Sequence, residues 1–220
     1  MAKVCGVEKV YFLIAVPLLL FAFVSFPPRS ANAETIHDTA AMVENHYRDL
    51  ADLTAKVVQK NVLKSIGKTQ TFEGTLYIKK PGKLRLEYSN GQIILIDGKA
   101  ALFYSKKSEQ VIKKTFTDFE HMNIPVAFLL GAAHIRDDFD VLQADPKMPR
   151  DLELLPRKSG AAMKKMRLHV DDAGRIMELT IFDRSGNTTM ITFTDIREGA
   201  GVNDQRFIFK APKGTEIIEQ

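Results

Sequence analysis

Cysteine, tryptophan and strong net charge are the features that this 220-residue sequence has least of. It contains one cysteine, Cys5, no tryptophan and a formal net charge of +4. A single cysteine cannot form an internal disulfide, and it offers no cluster of thiolate ligands for a metal ion. The mild positive charge argues against nucleic-acid binding, because proteins of that class usually concentrate far more lysine and arginine.

The sequence also lacks the motifs that hold a cofactor, a phosphate group or a catalytic side chain. It contains no HExxH, GxSxG or GxGxxG pattern. The histidines are scattered, and surface or helix-face positions explain them better than a metal site: His37, His46, His121, His134 and His169. We therefore predict no catalytic residue, no metal and no cofactor. A catalytic pair assembled from distant strands stays open, because spatial neighbours are not visible in a sequence.

The long hydrophobic run of the sequence lies near its N-terminus. Lys3 and Lys9 precede a nearly unbroken apolar stretch over residues 11–26, and Ala31-Asn32-Ala33 follows. A basic start, an apolar centre and small residues at the end are typical of a secretory signal peptide. We expect cleavage after Ala33. An uncleaved membrane anchor is the alternative, because the run approaches the roughly 18 to 20 residues of a spanning helix.

Cleavage would remove residues 1–33 and leave one domain, residues 34–220. Three basic residues and one acidic residue leave with the signal peptide, so the net charge falls from +4 to +2. A bacterial lipoprotein would carry a cysteine directly after the apolar run, where this sequence has Ala33-Glu34. We therefore expect an exported, soluble, unacylated protein of the periplasm without disulfides.

The first segment of this domain has the apolar spacing of a helix. Residues 35–58 place apolar or aromatic side chains three or four positions apart, at Ile36, Ala40, Val43, Tyr47, Leu50, Leu53 and Val57. Thr35 with Asp38 resembles a capping box at the helix start. The pattern predicts an amphipathic helix with one face to bury.

From about Gln70 onward the apolar period changes to two, which is typical of β-strands. Strands are predicted in two stretches around Leu76 and Leu86, and then over residues 93–96, 101–104, 110–113, 152–155, 163–170, 176–182, 188–196 and 206–210. Short helices are predicted over residues 126–130 and 132–139. The fold class is mainly β with some α: about 10 to 11 antiparallel strands, because no crossover helices separate them. A sheet of this size curls, and its inner face encloses either a packed core or a cavity.

Three blocks of this chain resemble the LolA family of periplasmic carriers of outer-membrane lipoproteins. The first is FEGTLYIKKPGKLRLEY at residues 72–88, followed by IDG at 96–98. The others are PVAFLLG at 125–131 and FIFKAPKG at 207–214. The blocks follow one another in the family's order, and the resemblance extends over essentially the whole mature chain.

The resemblance implies an incomplete β-barrel with a helical lid over an apolar cavity that takes the acyl chains of a lipoprotein. It also implies the partners of such a carrier. An ABC-type release complex in the inner membrane would supply the acylated lipoprotein, and an acceptor at the outer membrane would receive it. We expect the protein to act as a monomer. The alternatives are another periplasmic lipid or glycolipid carrier, a regulator that senses lipoproteins, and a periplasmic hydrolase with a dispersed site.

The resemblance also assigns residues. It places seven apolar side chains in the acyl-chain cavity, namely Phe72, Leu76, Ile78, Leu84, Leu86, Ile94 and Ile96. The lid would contain Val126, Phe128, Leu129 and Leu130. Lys80 stands where many relatives carry an arginine that hydrogen-bonds the lid backbone. Lysine lacks the planar fork of arginine, so a solvated charge at the cavity rim is the alternative role for Lys80.

Overall fold

The structure is a computed structural model, and it describes residues 31–115, 129–131, 134–158 and 163–219. Within these ranges, twelve β-strands form one sheet. The strands are β1 (Asp52–Leu63), β2 (Lys68–Lys79), β3 (Lys83–Tyr88), β4 (Gln92–Asp97), β5 (Ala100–Ser105), β6 (Gln110–Thr115), β7 (Phe139–Asp145), β8 (Met148–Pro156), β9 (Met163–Val170), β10 (Ile176–Asp183), β11 (Thr188–Glu198) and β12 (Glu216–Glu219). The helices are α1 (Ala31–Asp49), α2 (Ile135–Asp138) and two short 3-10 helices, Lys64–Ile66 and Asp204–Phe207.

The sheet is unclosed. Its strands lie in the order β12-β6-β5-β4-β3-β2-β1-β11-β10-β9-β8-β7, so β12 and β7 form its two edges. Every neighbouring pair is antiparallel except β12 and β6, which run parallel. The prediction of a mainly β fold built on an incomplete antiparallel sheet is confirmed. The described strands number twelve instead of ten or eleven.

Helix α1 is amphipathic and covers part of the inner face of the sheet. Ala40, Val43, Tyr47 and Leu50 are buried at the spacing of one helical face. The helix packs against β7, β8 and α2. The Tyr47 hydroxyl accepts a hydrogen bond of 3.1 Å from the backbone N–H of Ile176, at the start of β10. Over the described part of the chain, no helix is long and apolar enough to cross a membrane.

The predicted helix over residues 35–58 is too long. Helix α1 ends at Asp49, and β1 begins at Asp52. Leu53 and Val57, which the helical pattern includes, are buried on β1. Positions four apart share one face of a helix and also one face of a strand, so their spacing fits both structures. Pairing of β1 with β2 and β11 decides for the strand.

The two edge strands also differ from the prediction. Strand β7 begins at Phe139, where the sequence predicts the end of a short helix over residues 132–139; the helix observed there, α2, covers only Ile135–Asp138. The strand predicted over residues 206–210 is wrong, because these residues form the end of a 3-10 helix and an irregular segment, and the last strand comes later, at β12. Most of the predicted lid helix over residues 126–130 lies outside the described residues.

The irregular segment has a structural role of its own. Residues 199–211 form an outer strap, which crosses β3 and β4 on the face of the sheet opposite to α1. Val202 and Phe207 of the strap are buried with Leu95 in a second hydrophobic cluster. The Arg85 guanidinium donates to the backbone carbonyl of Arg206 at 3.0 Å. The Arg85 side chain thus supplies a hydrogen bond that this backbone carbonyl would otherwise need to accept from a neighbouring strand.

An ion-pair cluster ties the outer strap to the sheet. The ammonium groups of Lys79 and Lys83 lie 2.8 and 2.7 Å from the two carboxylate oxygens of Asp204. Hydrogen bonds from Lys79 and Lys83 lower the pKa of Asp204 to about 2. A carboxyl group with a lowered pKa in the folded state stabilises the fold above its unfolded pKa. That contribution disappears as the pH falls to the folded pKa.

We expect Asp204→Asn to remove this pH-dependent contribution. The free energy of unfolding of the wild type and the variant, measured by urea denaturation, should differ most above about pH 4 and converge as the pH falls toward about 2. Asp137→Asn, a change of the same kind at an exposed position on α2, serves as the control and should show a smaller dependence. If the wild type and Asp204→Asn differ in free energy of unfolding by a constant amount over this pH range, the prediction is wrong.

Candidate functional site

A cavity of about 410 Å³ lies on the inner face of the sheet. Its walls come from β1 to β5, β10 and β11, together with Leu129, and none of its described lining residues belongs to α1. The apolar lining residues are Val57, Phe72, Leu76, Leu84, Leu86, Ile94, Phe103, Leu129, Ile181, Ile191 and Phe193. The other lining residues are Gln59, Asn61, Tyr88, Gln92 and Thr189. The volume falls in the range of pockets that hold one small ligand, roughly 300 to 1,000 Å³.

Strand register produces the largest apolar wall of the cavity. Leu76 pairs with Leu86, Leu86 with Ile94, and Ile94 with Phe103. Paired residues of antiparallel strands place their side chains on the same face. These side chains therefore form one continuous apolar row across four strands.

A glycine lets an aromatic side chain cross this wall. Gly74 on β2 pairs with Tyr88 on β3, and a Cβ added at Gly74 would lie 2.5 Å from the Glu87 carbonyl oxygen. The Tyr88 hydroxyl reaches β1, where it donates a hydrogen bond to Gln59 Oε1 at 2.5 Å. The Tyr88 ring therefore crosses β2, and it meets the Phe72 ring edge-on at 5.9 Å between centroids.

The structure brings most of the residues assigned to the cavity into one place. Phe72, Leu76, Leu84, Leu86 and Ile94 line it, together with Leu129, which the resemblance assigns to the lid. Leu130, which has the same assignment, is buried in the main core. Val126 and Phe128, also assigned to the lid, lie outside the described residues.

Two of the assigned residues do not line the cavity. Ile78 and Ile96 are fully buried in the main hydrophobic core, which they share with α1. They pair with Leu84 from either side, so they share the inner face with the cavity residues but lie further along the strands. Alternation identifies the face of a strand, but it does not show which residues of that face border the cavity.

Sequence reasoning missed the walls from β1, β10 and β11. Val57, Gln59 and Asn61 of β1 pair with Phe193, Ile191 and Thr189 of β11. The sequence predicts a strand over residues 188–196, but nothing in it shows that this strand pairs with β1. Alternation of Leu53, Ala55 and Val57 with polar residues was an available signal for β1, and the helical interpretation of residues 35–58 concealed it.

A junction between Lys80 and the segment 129–131 borders the cavity. The Lys80 ammonium donates a hydrogen bond to the backbone carbonyl of Leu130, and burial lowers the pKa of Lys80. Gly131 has a left-handed φ of +66°. A Cβ at Gly131 would lie 2.5 Å from both Lys80 Nζ and the Tyr47 carbonyl oxygen. Residues 129–131 thus touch both Lys80, which directly follows β2, and Tyr47 near the end of α1.

Comparison with known proteins shows one family. The model of the family described as outer membrane lipoprotein carrier protein LolA matches residues 48–210. The outer-membrane lipoprotein carrier protein of Chromobacterium violaceum is 29% identical over 193 residues, which cover 86% of this chain and 89% of that protein. Its counterpart from Azotobacter vinelandii is 24% identical over 208 residues, which cover 92% of this chain and 98% of that protein.

A similar fold occurs in a solved structure. The crystal structure of an uncharacterized conserved protein from Thermus thermophilus matches with a TM-score of 0.51. The match covers 84% of this chain and 98% of that chain at 13% sequence identity. At this identity the match shows the fold alone.

Gly131→Ala tests how tightly the junction packs. A left-handed φ costs a residue with a Cβ about 1–2 kcal/mol, and here the added methyl group would also clash with Lys80 and Tyr47. We expect a loss in the free energy of unfolding above that backbone cost, measured by urea denaturation. Gly199→Ala is the matched control, because φ is +59° there and its Cβ meets open space. Equal losses for both variants would contradict tight packing at Gly131.

Proposed function

Because the chain belongs to the outer membrane lipoprotein carrier protein LolA family, we propose that it carries lipoproteins with their acyl chains held in the cavity. Family membership supports a lipoprotein as the cargo. The observation that carries the proposal is the apolar cavity on the inner face, which supports the acyl chain as the part of the cargo that is held.

The hydrophobic effect explains why a lipoprotein needs such a carrier. Each buried methylene group is worth about 0.8 kcal/mol, so water disfavours one chain of about 16 carbons by on the order of 10 kcal/mol. Leu86 and Ile94 are half-buried in the cavity wall. An acyl chain against them removes apolar surface of both cargo and carrier from water.

The carrier must also release its cargo, and the Lys80 junction supports a lid for this step. The lid would comprise residues 126–130, held through the hydrogen bond from Lys80 to the Leu130 carbonyl. A hydrogen bond with a charged partner contributes roughly 1.5–3 kcal/mol. This is small beside the roughly 10 kcal/mol of one acyl chain, so cargo can displace the lid as it enters, and the lid can close over the bound chain until release.

The full proposal places this exchange between two membranes. Residues 1–33 direct export, and residues 34–220 act in the periplasm as a monomer. The chain receives lipoprotein from an ABC-type release complex of the inner membrane and passes it to an acceptor at the outer membrane. It makes and breaks no covalent bond, because shielding and release of the acyl chains are its whole task.

We expect Leu86→Glu to weaken binding of a fluorescent diacylated peptide at least tenfold at neutral pH. The carboxylate would lie in the apolar wall, where burial of a charge without a partner is strongly unfavourable. Fluorescence titration of the purified protein gives the affinity. Circular dichroism checks that the fold is retained, which a half-buried position permits.

Val58→Glu is the matched control for this experiment. Val58 follows the cavity residue Val57 on β1, but its side chain faces the opposite side of the sheet and is 39% exposed. The same charge there should leave the affinity unchanged. If Leu86→Glu and Val58→Glu weaken the affinity for the peptide equally, binding does not depend on the cavity wall. Failure of the wild type to bind acylated peptide or lipoprotein would overturn the proposed function.

We expect Lys80→Met to open the junction and to speed cargo release. Loss of the donor leaves the Leu130 carbonyl without this partner, so hydrogen exchange of the amides at 129–131 should accelerate. The dissociation rate of the diacylated peptide should rise about tenfold, which corresponds to about 1.4 kcal/mol. Lys80→Arg retains a cationic donor and should stay near the wild-type rates. Unchanged exchange and release in Lys80→Met would leave Lys80 as a solvated rim charge.

A further inference from the structure

The polar lining residues lie together at one end of the cavity. Tyr88 is the last residue of β3, and Gln92 is the first residue of β4. Asn61 pairs with Thr189 at the penultimate position of the ladder between β1 and β11. Neighbouring antiparallel strands run in opposite directions, so the end of one strand lies beside the start of the next. These positions therefore lie together at the same end of the strands.

The opposite end of the cavity is apolar and closed. Leu76, Leu84 and Leu129 line it, and each is less than one tenth exposed. Asn61, Gln92 and Thr189 are only half-buried. We call the apolar, closed end the floor of the cavity and the polar, more accessible end its rim. A bound acyl chain with its tail on the floor has its head at the rim.

A directed chain of hydrogen bonds runs through this rim. The Tyr88 hydroxyl donates to Gln59 Oε1 at 2.5 Å, and Gln59 Nε2 donates to Asn61 Oδ1 at 3.0 Å. Burial raises the pKa of Tyr88 to about 12, so its hydroxyl keeps its proton at physiological pH. Both amide oxygens already accept within the chain, which leaves the Asn61 amide nitrogen as the donor end. A group that accepts hydrogen bonds matches this end.

The head of an acyl chain is such a group. Acyl chains join the rest of a lipid or lipoprotein through ester or amide carbonyls, whose oxygens only accept hydrogen bonds. A carbonyl drawn into an apolar cavity loses its water, and without a replacement donor this loss weakens binding. The Asn61 amide lies at the rim, where a chain with its tail on the floor has its head.

We propose that the hydrogen-bonded row of Tyr88, Gln59 and Asn61 is a binding subsite. It would bind the ester or amide carbonyl at the head of a lipoprotein's acyl chain. Asn61 Nδ2 donates to the carbonyl oxygen, and Tyr88 and Gln59 hold the Asn61 amide in the orientation that makes this possible. The subsite sets the depth to which the acyl chain enters. It rests on the proposed function, since it presupposes that the cavity holds acyl chains.

The experiment compares paired probes that differ only in the carbonyl. One pair is a peptide with an N-terminal S-diacylglyceryl cysteine and its dialkyl ether analogue. The second pair is a diacyl phosphatidylglycerol and its ether analogue, which separates membrane lipid from lipoprotein as the source. The wild type should bind the ester peptide about fivefold more tightly than the ether peptide, as expected for one hydrogen bond.

Variants of the full-length protein then locate the source of this preference. Asn61→Leu should reduce the ester-to-ether ratio to about one, because only the ester peptide loses a hydrogen bond. Tyr88→Phe keeps the ring but removes the hydroxyl, and it should lower the ratio in the same direction. Thr189→Val is the matched control. Thr189 pairs with Asn61 at the rim, but it takes no part in the hydrogen bonds among Tyr88, Gln59 and Asn61. It should retain the preference.

The outcomes separate the subsite from the proposed function. Equal affinity of the wild type for both peptides overturns the subsite alone, and so does a preference that survives Asn61→Leu. Loss of the preference in Thr189→Val as complete as in Asn61→Leu also overturns it. A preference confined to the phospholipid pair would assign the rim to membrane lipid and overturn the lipoprotein subsite. If the wild type binds neither peptide, the proposed function fails and the subsite fails with it.

Discussion

The structure depends on a mismatch between one apolar sheet face and α1, the longest helix among the described residues, which covers part of that face. The inner face is apolar along most of twelve strands, whereas α1 packs mainly against β7 and β8. Ile78, Ile96 and Leu152 are fully buried in one core cluster that also contains the apolar face of α1. Over β1 to β5, β10 and β11, the same kind of surface borders a cavity instead. The apolar surface of a carrier is thus made by leaving part of a core uncovered.

A wall of this kind needs support from its other side, and the outer strap supplies it. Leu86 and Ile94 face the cavity, while Leu95 on the opposite face of β4 packs against Phe207 of the strap. Strands β3 and β4 therefore keep one well-packed face whatever happens on the other. This division lets the inner face exchange contacts with a guest without loss of the sheet.

The cavity combines features that a reversible carrier requires. Its floor is apolar and not tied to any particular shape of cargo, which suits guests that share only their acyl chains. At its border the Lys80 hydrogen bond joins residues 129–131 to the residue that follows β2, so separation of this segment must break that bond. The rim is polar, and the floor is not. The proposed subsite at the rim gives a guest one orientation.

The sequence by itself determined the fold class and much of the cavity wall. Alternation marks Leu76, Leu86 and Ile94 as residues of one sheet face, because the side-chain period of a strand is two. Similarity to a family added the prediction that Lys80 hydrogen-bonds the backbone of a segment that includes Leu130. Tertiary structure alone decided that Leu76 borders the cavity and Ile78 does not, because alternation places both on the same buried face. It also joined Asn61 to Thr189, because pairing between strands far apart in sequence follows from the completed sheet and leaves no local pattern.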